Sequence, residues 1–210
     1  MLFLLFIDVI INNKLMKLDL VASSQNDEFY TPPYAIKPLL KYLKPKSKIW
    51  CCFDTENSWY VKLLREEGHT VYHSSILTGG DFFEIIDKHT PLLKKGLDYI
   101  ISNPPYSKKD EVLTYLFTLD IPFAMLMGVV GIYESKTRFE LFKNNIFEEM
   151  FFNKRISYFK NYNDQIPSLN PPFSSIYVCH NVLPTTKVFE EVFKPKLPRK
   201  KKEVKIKHEI

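Results

Sequence analysis

Glycine is scarce in this chain, with 6 residues in 210 against 14 prolines. A phosphate-cradling loop needs several glycines within a few positions. The only adjacent pair, Gly79-Gly80, reads as a turn, so a nucleotide site of the P-loop type is excluded. Cysteine is scarcer still. Cys51, Cys52 and Cys179 show neither metal-ligand spacing nor an even-numbered disulfide framework. Cys51 and Cys52 fall inside an apolar strand pattern and read as core, and such usage leads us to expect a reducing, cytoplasmic setting. No nucleophile-base constellation and no metal site is evident. The chain also lacks a long apolar run. Residues 1–11 are apolar but too short to span a bilayer, and Asp8 interrupts them. They lack a basic flank and a small-residue cleavage site, which argues against a signal peptide. We expect no membrane partner, and we expect Met16 to be the true initiator.

What is present is a globular composition, 45% apolar and 15% aromatic, long enough for one domain with a substantial core. Charge is uneven. Residues 194–210 hold eight lysines and arginines against Glu203 and Glu209, a net +6, while the whole chain is +5. The body is therefore near −1. We divide the chain into an N-terminal extension (1–25), a folded domain (26–193) and a basic tail (194–210). The tail either attracts phosphate backbones without reading sequence or solubilises the terminus.

Strand and helix patterns alternate as in a doubly wound, mostly parallel sheet. Pro32-Pro33-Tyr34 opens a helix. Residues 48–53 read as a first strand, Asn57 or Ser58 caps the next helix, and 70–73 read as a second strand. A short helix is expected after Asp81-Phe82-Phe83. Residues 97–102 and 122–127 are further buried strands, with a helix at 109–117 between them and another after Ser135. The remaining stretches at 147–152, 156–159 and 175–182 read as β. Residues 187–193 are expected only to lead into the tail.

Strand 97–102 ends in Asn103-Pro104-Pro105-Tyr106. The Asn side-chain carbonyl and the carbonyl of Pro104 can both accept hydrogen bonds from an exocyclic NH2. The prolines fix the loop before a substrate arrives. An aromatic ring next to them can stack on a base that has left its duplex. A chance Pro-Pro turn would explain the prolines alone.

In that position the tetrapeptide resembles the catalytic motif of the S-adenosylmethionine-dependent amino-methyltransferases, in particular the small phage-type N6-adenine DNA enzymes. The resemblance implies a Rossmann-like α/β fold with an antiparallel sheet edge. It also implies S-adenosylmethionine as cofactor, DNA as partner, and in-line attack of the adenine amine on the sulfonium methyl. Asn103, Pro104, Pro105 and Tyr106 would be the catalytic residues.

On the cofactor side, the resemblance assigns Phe29, Tyr30, Thr31 and Pro32 to the aromatic-x-Thr-Pro segment lining the pocket. A hydrophobic staple with a proline-led helix start accounts for Pro32 and Pro33 but not for Phe29-Tyr30-Thr31. The family's acidic-x-Phe-x-Gly-x-Gly loop after the first strand is matched only by Phe53. Thr55 and Asn57 stand near the glycine places. Either Asp54 or Ser58 contacts the amino-acid part of the cofactor, or the fold has lost the cofactor and Asp54 merely caps a helix. The second strand ends in His73-Ser74-Ser75, with no acid for a ribose. Asp81-Phe82 matches a later acid-aromatic pair, with Asp81 accepting from the cofactor adenine and Phe82 against its ring; ordinary core is the rival reading for Phe82.

On the target side, Tyr106 and Phe173 are expected to pack on the two faces of the flipped base. The second Asn-Pro-Pro-aromatic run, Asn170 to Phe173, follows a polar loop and is not assigned catalysis. Tyr133, Lys136, Arg138, Lys160, Tyr162, Asn163 and Gln165 suit contacts to phosphates and base edges. The expected function is methyl transfer to N6 of adenine in DNA. The alternatives are RNA adenine or a protein glutamine as acceptor, or a non-catalytic nucleic-acid-binding protein on a degenerate methyltransferase fold.

Overall fold

A computed structural model describes residues 30–162, 167–169 and 173–195. Seven strands form one sheet. In chain order they are β1 (Lys48–Cys51), β2 (Thr70–His73), β3 (Tyr99–Ser102), β4 (Phe123–Gly128), β5 (Glu148–Phe152), β8 (Ser175–His180) and β9 (Lys187–Glu190). A small antiparallel pair, β6 (Tyr158–Phe159) and β7 (Pro167–Leu169), stands apart. The sheet order is β2-β1-β3-β4-β8-β5-β9. Neighbours from β2 to β4 are parallel, β8 is antiparallel to β4 and to β5, and β9 is parallel to β5. The antiparallel direction expected at this side of the sheet falls on β8. The carboxyl ends of β1–β5 and β9 therefore lie along one edge. Order reverses between β1 and β3, which makes their carboxyl ends the switch point where ligands of such sheets bind.

The helices are α1 (Pro33–Leu40), α2 (Trp59–Glu66), α3 (Phe82–Gly96), α4 (Lys109–Leu119) and α5 (Lys136–Asn144). Each start follows from its sequence. Pro33 sits in the first turn of α1, where its missing N–H costs nothing. Ser58, Asp81 and Ser135 cap α2, α3 and α5 with their side chains. The helix after Asp81 runs 15 residues, longer than the sequence suggested, and carries Pro91 within it. Lys94 and Lys95 in its last turn complement the helix dipole.

Alternation along the buried strands splits the core in two. Ile49, Tyr99, Ile101, Leu126 and Tyr177 face α1 and α2. Trp50, Ile100, Phe123, Met125 and Val178 face α3 and α4. Burying each large apolar side chain stabilises the fold by roughly 1.5–3 kcal/mol. All three cysteines are free and buried, and burial pushes their thiols up. Strand β9, which the sequence reading treated as a lead into the tail, closes the sheet. Its alternating half-buried Val188 and Glu190 and exposed Lys187 and Phe189 give too weak an apolar signal to stand out. No helix among the described residues is long and apolar enough to cross a membrane.

Candidate active site

A cavity of about 450 Å³ opens at the carboxyl ends of β1 and β3. Three segments expected on the cofactor side meet in its wall: Tyr30-Thr31, Phe53-Asp54 and Asp81-Phe82. The fourth wall is Asn103-Pro104-Pro105. The volume suits a small organic ligand, and apolar rings with a few convergent polar groups are what such sites present.

Asp54 is the most buried acid here, 6% exposed. One carboxylate oxygen accepts the Ser58 hydroxyl and the other accepts the Ser102 hydroxyl. Ser102 in turn accepts the Phe53 N–H at 3.2 Å, which ties the ends of β1 and β3 together. Burial pushes the Asp54 carboxyl up to about 6, and the two hydroxyl donors pull it partly back. Ser58, fully buried, also accepts the Tyr60 N–H at 3.1 Å to cap α2. The structure thus places Ser58 behind Asp54 and not in the cavity wall. Tyr162 lines the cavity with its ring edge-on to Tyr30 at 4.5 Å. Its phenol is pushed up by burial and by the Asp54 charge.

Asp81 spends one oxygen on the α3 cap, accepting Phe83 N–H at 2.9 Å and Glu84 N–H at 3.0 Å. Phe82 is 3% exposed and packs on Trp50 at 5.7 Å and Phe53 at 4.8 Å, so most of its surface is core and only part reaches the cavity. Gly80 lets the 79–81 turn press against β2's exit: a Cβ there would lie 2.8 Å from Ser74 Cβ. Thr31 is 1% exposed and lines the cavity, and its hydroxyl makes no hydrogen bond among the described residues. Pro32 is buried and ends the segment as the N-cap residue of α1. The end of β2 carries no carboxylate; His73 Nε2 there meets Glu56, in the loop after β1, at 2.7 Å, and neither residue lines the cavity.

The aromatic pair lies on the other side of the Asn-Pro-Pro loop. Tyr106 and Phe173 do not line the cavity; their rings meet edge to face at 5.6 Å. Gly128, at the end of β4, makes room for both. A Cβ there would lie 2.8 Å from the Phe173 ring and 3.2 Å from Tyr106. The Tyr106 hydroxyl is 2.9 Å from that of Tyr158, which donates to Ser175 Oγ at 2.7 Å. The two rings are thus in contact with each other.

Two of the loop residues expected to meet nucleic acid are bonded within the fold. Arg138 binds Asp110, the Ile132 carbonyl at 2.8 Å and the Gly131 carbonyl, and Tyr133 donates to Glu149. Phe29, Asn163, Gln165, Asn170 to Pro172, the extension 1–25 with Met16, and the tail beyond 195 lie outside the described residues. Ser102, Gly128 and Tyr158 were missed in the sequence, and Tyr162, expected among the nucleic-acid contacts, lines the cavity. The first two carried a signal, a polar residue closing an apolar strand and a rare glycine closing another. No group of metal-ligating side chains occurs among the described residues.

No protein-family model matches the chain, and no curated protein matches it in sequence. Among solved structures it is similar to a modification subunit assigned to a type I restriction enzyme from Vibrio vulnificus YJ016, with 9% identity and a TM-score of 0.50. The match covers 85% of this chain and 50% of that one, so the chain spans about half the length of the protein it matches. At that identity the likeness establishes the architecture alone, a mixed α/β fold on a mostly parallel sheet.

Proposed function

We propose that the protein transfers a methyl group from S-adenosylmethionine to the N6 amino group of adenine in DNA. One observation carries the reading: Asn103-Pro104-Pro105 stands at the carboxyl end of β3, between a ligand-sized cavity on one side and the Tyr106–Phe173 aromatic pair on the other. The cavity's side chains fit the cofactor. Asp54 and Asp81 can accept from its amino groups, Phe53 and Phe82 offer ring surface, and the Thr31 hydroxyl is buried without a partner among the described residues. When bound, S-adenosylmethionine supplies an electrophilic methyl carried on a sulfonium.

The chain's own contribution is positioning. The Asn103 side-chain carbonyl and the Pro104 carbonyl accept from the target NH2 and orient its lone pair toward the cavity. Tyr106 stacks on the extruded base once the contact with Phe173 opens. Asp54 braces the β1 and β3 ends through Ser58 and Ser102 and offers its charge to a cationic amine.

A second reading has a specific observation behind it. Both oxygens of Asp54 are already hydrogen-bonded within the fold, which a non-catalytic nucleic-acid-binding module would retain for stability alone. Calorimetric titration of the folded protein with S-adenosylmethionine separates the two. Saturable one-to-one binding, weakened by Asp81→Ala, is expected. No heat and no protection against thermal unfolding would favour the non-catalytic module.

A further inference from the structure

Beyond β5 and β9 the chain builds a second polar feature on the same edge of the sheet as the cavity. Asn153 joins the two strand exits: its N–H donates to the Glu190 carbonyl at 3.2 Å, and its side-chain carbonyl accepts the Val192 N–H at 2.9 Å. These bonds bring Lys154 and Arg155 beside Lys194. Lys154 Nζ lies over the Phe193 ring at 5.9 Å, and Lys194 Nζ donates to Ser157 Oγ at 2.8 Å. Among the described residues none of the three cations pairs with a carboxylate. Burial and the positive charges of Lys154 and Arg155 hold the Lys194 ammonium below the ordinary lysine value. Three like charges brought together in this way repel one another, and a bound anion would relieve the cost.

The same segment leads back to the candidate active site. Ser157 N–H donates to the Tyr34 hydroxyl at 2.7 Å, Phe159 N–H donates to the Tyr30 carbonyl at 2.9 Å, and the Tyr158 hydroxyl meets that of Tyr106. A strand of nucleic acid laid across the aromatic pair would therefore run toward this cluster. Residue 194 also begins the basic tail of the sequence.

We propose that Lys154, Arg155 and Lys194 form a binding site for the phosphodiester backbone of DNA, taking phosphates next to the target base. The placement beside a target base rests on the methyltransferase reading; the phosphate site itself does not. The test measures binding of the full chain to a fluorescent DNA oligonucleotide by anisotropy across a salt series, with no cofactor present. The triple variant Lys154→Gln, Arg155→Gln, Lys194→Gln should bind about a hundredfold more weakly near 0.1 M salt, and the slope of log K against log salt should fall by about 2 to 3. A control with the same charge loss at the opposite edge of the sheet, Lys48→Gln, Lys94→Gln, Lys95→Gln, should keep most of the affinity and slope. If Lys194→Gln unfolds the protein, the exposed pair Lys154→Gln, Arg155→Gln serves, with a slope change of about 2. Wild-type affinity and slope in the variant, or an equal loss in the control, would overturn the site. Loss of DNA binding together with absent methyl transfer by the wild type would support the site and end the enzymatic reading.

Discussion

The two ends of the cavity are built by different means. At the proposed target end, Asn103-Pro104-Pro105 is set by covalent restraint, since two prolines limit the backbone whatever surrounds them. At the proposed cofactor end, Asp54 is set by a buried polar network of two serine hydroxyls that also ties β1 to β3. The first device is local and needs three consecutive residues. The second joins positions 54, 58 and 102 and exists only once the sheet has formed. Substitutions should therefore separate the ends. Changes at 103 ought to strike activity and spare the fold, whereas changes at 54 ought to strike both.

The largest effect is expected at the target end. Asn103→Ala should lower the rate of methyl transfer by about two to three orders of magnitude, the scale seen when one polar contact to a reacting group is removed. Its melting temperature should stay within about 1–2 °C of the wild type. Filter-binding assays with labelled cofactor, alongside thermal melts, check both halves. Unfolding by this substitution would erase the contrast between the ends.

At the cofactor end the expected signature is a pH dependence. The folded Asp54 carboxyl titrates at about 6, above its ordinary value of 3.8, so folding favours its protonated form. That contribution is fully present below about pH 3.8 and is lost as the pH rises through about 6, a difference of about 3 kcal/mol. Asp54→Asn cannot ionise. Between pH 4 and pH 7 the wild type's melting temperature should fall by about 6–12 °C relative to this variant. A constant gap between the two melting curves would show that Asp54 is not held as described. A cationic ligand partner for Asp54 would also make cofactor affinity rise from pH 5 to pH 7 in the wild type and not in Asp54→Asn.

Two smaller effects probe the aromatic pair. Gly128→Val places carbon inside contact distance of both rings and should cost about 1–3 kcal/mol through overpacking. It should raise KM for DNA and leave cofactor affinity unchanged; a cofactor effect of equal size would mean that the two sides of the Asn-Pro-Pro loop are not independent. Tyr158→Phe removes the hydroxyl between Tyr106 and Ser175 and should lower stability by about 1 kcal/mol, or about 2–4 °C in melting.

How much of this was legible in the sequence follows the same division. Strands β1 to β4 announced themselves through apolar runs, because parallel strands buried on both faces carry little else. The Ser58 and Ser135 caps could be read because each acts within a few residues of itself, whereas the Asp81 cap reads in the sequence as a cofactor contact. The network around Asp54 could not be read, because Ser102 is 48 positions away and only the β1–β3 pairing brings it near. The contact of Tyr106 with Phe173 was hidden for the same reason: it depends on β8 running back beside β4 and on a missing side chain at Gly128. Strand β9 was hidden because an edge strand exposes half its residues and imitates a loop.

The proposed activity is methylation of one amino group, N6 of adenine, at Asn103. Its most direct test is to incubate the protein with labelled S-adenosylmethionine and unmethylated DNA, digest the DNA, and separate the nucleosides. Label is expected in N6-methyldeoxyadenosine with the wild type, and only background with Asn103→Ala. Label in another nucleoside, equal label with the variant, or none from a folded protein that binds the cofactor would contradict it.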